Sequence, residues 1–151
     1  MEPHYYNVNV NWKNDRIGEL ESPELITKIE VATPPQFNKG IEGIWSPEHL
    51  FTAAVSSCYM TTFLAIAENS KLEFESFSCN SKGKLEQVDG KFVMSEVILE
   101  PKLTIIKSED IEKANRILEK SEKACLISNS INSKISLIPH IEIANSIILN
   151  N

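Results

Sequence analysis

From Tyr6 to Trp12 every second residue is apolar (Tyr6, Val8, Val10, Trp12), the period-2 signature of a half-buried strand predicted over residues 5–13. Asn14-Asp15 signals a turn, and a second strand follows from Arg16 to Glu21. Ser22-Pro23-Glu24 interrupts the pattern. A third short strand then crosses Ile26 to Val31 and stops before Pro34-Pro35, because proline has no amide to give a ladder. The loop from Gln36 to Trp45, which carries Gly40 and Gly43, leads into Ser46-Pro47-Glu48. That triplet is a strong helix start: serine caps, proline suits the first turn, and the acid complements the helix dipole.

Between Leu50 and Ala67 apolar residues sit on all sides of the predicted helix (Phe51, Ala54, Val55, Met60, Phe63, Leu64 among them). A helix of that kind needs cover all round. The expected arrangement is therefore a helix covered by a sheet and by a second copy of the chain. Strands are predicted over 72–80, 83–88 and 91–106, with Asp89-Gly90 as a tight hairpin turn. Ser108-Glu109-Asp110 is read as the cap of a second helix with Ile111, Ala114, Leu118 and Ser121 on one face. Cys125 falls about 40° from that stripe and so points to the core side. A short helical turn over 126–131 and a last strand over 133–143 complete an α+β pattern with antiparallel sheets, read as one domain over 1–151.

Composition narrows the partners. The 151 residues carry a net charge of −6, with 42% hydrophobic and 24% charged residues, as in an ordinary globular chain. An acidic surface repels phosphate backbones and anionic lipid, so neither nucleic acid nor a membrane surface is expected. No membrane-spanning run is expected either, and the start, Met1 to Tyr6, lacks a signal-peptide pattern, which makes the cytoplasm the expected location. His4, His49 and His140 show no metal-ligand spacing with each other or with the cysteines, so no metal and no cofactor is predicted.

Three cysteines, Cys58, Cys79 and Cys125, are too few and too separated for a disulfide scaffold. Each is read either as a small buried hydrophobe or as a reactive thiol, with Cys79 the most structural in character. The chain has two arginines, Arg16 and Arg116, among many lysines. Arg116 is read as a solvated helix residue. Arg16, beside a turn, is either a surface residue or a planar fork that pairs with a carboxylate while facing a thiolate.

The segment Trp45-Ser46-Pro47-Glu48-His49-Leu50-Phe51, followed by Ala53-Ala54-Val55-Ser56-Ser57-Cys58, resembles the first cysteine block of the OsmC/Ohr family, the osmotically induced and organic-hydroperoxide-resistance proteins. Ala124-Cys125-Leu126-Ile127-Ser128 resembles its second block, C-P-x-S, with Leu126 in the place of proline. The resemblance implies an OsmC-like fold in which antiparallel sheets wrap a buried central helix in an intertwined homodimer. It also implies a thiol peroxidase for organic hydroperoxides, with Cys58 peroxidatic and Cys125 resolving, and a dithiol or dihydrolipoyl protein as reductant. Arg16 matches the arginine of the family and Glu48 its partner acid. Another branch takes its cation after the third strand, where this chain has Lys39, so the choice between Arg16 and Lys39 stays open. Glu48 and Cys58 lie about 15 Å apart along one helix, which predicts interface sites built from both chains of a dimer. The alternative reading is a non-catalytic stress protein that binds a small apolar ligand in the dimer cleft.

Overall fold

A computed structural model describes residues 1–145; the last six residues of the expected 1–151 domain lie outside it. The chain divides after Leu50 into two compact units. In the first, β1 (Asn9–Asn14), β2 (Ile17–Glu21) and β3 (Ile29–Ala32) form an antiparallel sheet in the order β1-β2-β3. Asp15 takes a positive φ of 45° in the β1–β2 turn, and the Trp12 indole Nε1 donates to its carbonyl at 3.0 Å. The loop after β3 folds back so tightly that a Cβ on Gly40 would sit 1.9 Å from the Pro34 carbonyl oxygen. Only glycine fits there. The loop returns to β3 through Trp45, whose carbonyl accepts the Ala32 amide at 2.8 Å.

Helix α1 runs from Pro47 to Asn69. Ser46 caps it as predicted: its hydroxyl accepts the His49 amide at 3.2 Å, and its carbonyl accepts the Leu50 amide at 3.0 Å. By length and composition this helix is apolar enough to cross a membrane, against the expectation from the sequence that no segment would reach that limit. Its actual role is visible in the packing. Val55, Tyr59, Phe63 and Ala67, spaced by four, form one fully buried stripe.

That stripe joins the core of the second unit. Here β4 (Phe74–Val88) and β5 (Lys91–Ile105) make one long antiparallel hairpin closed by Asp89-Gly90, both at positive φ. The two strands predicted over 72–80 and 83–88 are thus one. Val97, Leu99, Leu103 and Ile105 put alternate β5 positions into the core. A 3₁₀ turn over Ser108–Asp110 runs directly into α2 (Ile111–Ala124), and no side-chain cap bond is made. The buried face of α2 is Ala114, Ile117, Leu118 and Ser121; Ile111, expected on that face, is exposed.

After α2 comes a short 3₁₀ turn, Ser128–Ser130, within the predicted segment. The last predicted strand is two, β6 (Lys134–Leu137) and β7 (His140–Ile143), split at Pro139. Both pair with β5 in parallel, so the second sheet is mixed rather than purely antiparallel. The α2 crossover is the reason: a helical connection returns the chain to run in the direction it left.

The expectation that α1 is buried all round is not met within one chain. Met60 and Leu64 remain 39% and 41% exposed.

Candidate functional site

Cys58 sits mid-way along α1, one turn beyond the buried Val55, and is itself half-buried. Cys125 ends α2 in an extended conformation (φ −64°, ψ 115°) and is fully buried. The core-side placement predicted from the α2 stripe holds. Its Sγ approaches the Val55 carbonyl oxygen at 4.0 Å, which ties the end of α2 to the middle of α1. Each thiol also shifts the acidity of the other. Two residues separated by most of the second unit's sequence are therefore one group in space.

Their surroundings push their acidities apart. Burial raises the Cys58 thiol, but it is outweighed by hydrogen bonds from the Ile127 amide, the Cys125 thiol, the Thr62 hydroxyl and the Leu126 amide, and the net shift is downward. Burial also raises Cys125. The Ser128 hydroxyl and amide oppose this, the Cys58 thiolate reinforces it, and the net shift is upward. A pair split in this way makes Cys58 the more acidic thiol and Cys125 the less acidic one.

Cys79 stands apart in character. It lies on β4, with its sulfur 3.5 Å from the Ser81 hydroxyl and 3.9 Å from the Asn80 carbonyl oxygen. Burial raises its thiol, as suits a structural cysteine.

Arg16 and Glu48 belong to the first unit. Arg16 is exposed at the turn before β2 and borders an open recess of about 690 Å³ with Trp12, Ile17, Val31 and Pro47. Glu48 is half-buried in the first turn of α1. Lys39 is exposed at a φ of 62° in the loop after β3. His49 plays a local part that its sequence position did not announce. Its Nδ1 lies 2.7 Å from the Ser46 hydroxyl, and its ring meets Trp45 edge-on at 6.1 Å. Because that hydroxyl already accepts the His49 amide, it can donate to Nδ1, and the contact locks the start of α1.

The residues that the sequence reading missed are the donors around Cys58. Thr62 carried a readable signal, since it lies four residues after Cys58 and so on the same helix face. The Leu126 and Ile127 amides carried none, because a backbone group looks alike in every residue.

A helix-borne thiol paired with a buried, less acidic one, in an α+β frame of two sheets, defines a paired-cysteine protein. The family model for OsmC-like proteins matches residues 40–139, and the chain belongs to that family. It is 29% identical over 142 residues to the uncharacterized protein YmaD of Bacillus subtilis, covering 91% of this chain and 93% of that one. Its fold is shared with an OsmC-like protein of unknown function from Vibrio cholerae (TM-score 0.82, 23% identity, 91% of this chain and 99% of that one). An organic hydroperoxide resistance protein from Legionella pneumophila has the same fold (TM-score 0.72, 22% identity, 93% and 99%).

Proposed function

We propose that this protein is a thiol-dependent peroxidase that reduces organic hydroperoxides. The carrying observation is that Cys125 reaches α1 one turn before Cys58, its Sγ 4.0 Å from the Val55 carbonyl oxygen, and that the acidities of the two thiols are divided. In the first step the Cys58 thiolate attacks the distal peroxide oxygen. The O–O bond breaks, the sulfur becomes a sulfenic acid, and the alkoxide takes a proton to leave as alcohol. In the second step the Cys125 sulfur attacks the sulfenic acid, forming the disulfide and releasing water. A dithiol, free or as a dihydrolipoyl protein, then returns both cysteines to the reduced form and becomes a disulfide itself. The hydroperoxide-resistance name of the Legionella relative supports the substrate class.

The active form on this reading is a homodimer. The apolar face of α1 left open at Met60 and Leu64 supports it, because a helix this apolar needs a second covering surface. Arg16, oriented by Glu48, supplies the cation that steadies the thiolate and the developing alkoxide.

The test is thiol titration before and after one equivalent of an organic hydroperoxide, in the wild type and in two variants. Wild type should lose two thiols per chain, and Cys58→Ser none by this route. Cys125→Ser should consume one peroxide per chain and then stall as a sulfenic acid. Unchanged wild-type thiols, together with saturable binding of an apolar compound, refute the enzyme and favour a binding protein.

A further inference from the structure

The segment after α2 is tightly tied, and one of its polar groups is idle. The Cys125 amide goes to the Glu122 carbonyl at 3.3 Å, and the Cys125 carbonyl accepts the Asn129 amide at 3.0 Å. The Ser130 amide donates to the Ile127 carbonyl at 3.0 Å and its hydroxyl to the Leu126 carbonyl at 2.8 Å. The Asn129 side-chain amide donates to the Lys123 carbonyl at 3.1 Å. The Ser128 hydroxyl is the exception. It is shut off from solvent, on a residue 9% exposed, and makes no hydrogen bond among the described residues. A buried hydroxyl left in this way costs stability and calls for a reason.

The bond from the Asn129 amide to the Cys125 carbonyl closes residues 125–129 into one turn, which brings Ser128 back beside Cys125. Cys125 is fully buried, and as a thiol it already has a partner: its sulfur lies 4.0 Å from the Val55 carbonyl oxygen, to which it donates. A carbonyl can only accept. Once the thiol proton leaves, that oxygen faces a thiolate and repels it. The thiolate then needs a donor, and burial keeps water from supplying one.

We propose that Ser128 is a positioning residue for Cys125: its hydroxyl, idle in the dithiol form, donates to the Cys125 sulfur when that sulfur carries negative charge. The proposal rests on the peroxidase reading and deepens it. Charge reaches Cys125 twice in that cycle. When Cys125 attacks the sulfenic acid on Cys58, the S–S bond forms and the Cys125 proton leaves with the displaced hydroxide as water. When a dithiol reduces the disulfide, its thiolate attacks the Cys58 sulfur and the S–S bond breaks. Cys125 leaves with the electron pair and then takes up a proton. The Ser128 hydroxyl also draws the acidity of the Cys125 thiol in the matching direction, downward against burial.

The experiment starts from the full chain oxidised with diamide, which joins Cys58 to Cys125 without peroxide, the link being verified by peptide mass. Reduction by dithiothreitol is then timed by acid quench and mass spectrometry. Ser128→Ala should be reduced about tenfold more slowly than wild type, and Ser128→Thr, which restores a hydroxyl, should regain the wild-type rate. Ser130→Ala loses a hydroxyl already committed to the Leu126 carbonyl and should keep the wild-type rate. Thermal unfolding of the reduced protein separates this role from a structural one. Ser128→Ala should hold or raise the midpoint, because removing an idle hydroxyl leaves no partner unpaired. An unchanged reduction rate in Ser128→Ala overturns the proposal. A lowered midpoint or a failure to fold overturns it too, since the hydroxyl then serves the fold. If diamide does not join the two cysteines, the proposal and the resolving role of Cys125 fall together. Slowed reduction in a protein that consumes no hydroperoxide refutes the enzyme reading alone and leaves Ser128 in its role.

Discussion

Phe63 holds the helix that carries Cys58 in place, and its removal tests that packing. The ring is fully buried, stacked on Phe77 at a centroid distance of 4.6 Å and 18° between planes, and edge-on to Phe74 at 5.3 Å and 65°. Phe63→Ala loses the transfer energy of the ring and leaves a cavity, a combination that costs about 3–5 kcal/mol. The two ring contacts account for about 1–3 kcal/mol of this, at about 0.5–1.5 each. Phe63→Leu keeps most of the volume and loses the rings, so it should cost about 1–3 kcal/mol. Urea unfolding followed by circular dichroism, at one fixed protein concentration because association shifts midpoints, gives both values. A cycle with Phe77→Leu should show a coupling of about 1 kcal/mol between the stacked rings. A Phe63→Ala cost below about 1 kcal/mol would refute the claim that this stripe anchors α1.

Three further expectations concern single residues. Tyr59 is buried, and burial, followed by the charges of Cys79 and Glu122, raises its phenol pKa. The native state therefore holds a proton that the unfolded chain releases above about pH 10, and stability should fall by about 1.4 kcal/mol per pH unit beyond it. Tyr59→Phe should remove that slope while costing about 1 kcal/mol at neutral pH through the lost bond to the Leu118 carbonyl oxygen, 3.1 Å in the native protein; an unchanged alkaline slope contradicts this. A Cβ on Gly83 would lie 2.1 Å from Thr52 Oγ1 and 2.7 Å from Met94 Cε, so Gly83→Ala should destabilise by about 1–3 kcal/mol, and by less in a Thr52→Ala background, as read by thermal unfolding. Arg16→Lys keeps the charge and loses the fork, so peroxide consumption should fall about tenfold while Lys39→Ala leaves it intact; the reverse result assigns the cation to the loop after β3.

Local signals in the sequence settled the parts governed by neighbouring residues. Ser46-Pro47-Glu48 started α1, and Asp89-Gly90 closed the hairpin, because caps and tight turns are decided within a few residues. The buried face of α2 was legible for the same reason: its polar and apolar sides are distinct, and the stripe carried Cys125 inward. On α1 the pattern failed. Apolar residues on every side leave no face preferred, and only packing selected Val55, Tyr59, Phe63 and Ala67. The parallel pairing of β6 and β7 with β5 was equally hidden, since a strand's pattern does not state its direction. The site divides along the same line. Two cysteines in two motif-like blocks could be read as a pair, whereas the donors that separate their acidities could not. Backbone amides at Leu126 and Ile127 acquire a role only when the chain brings them to Cys58, and that placement belongs to the tertiary structure alone.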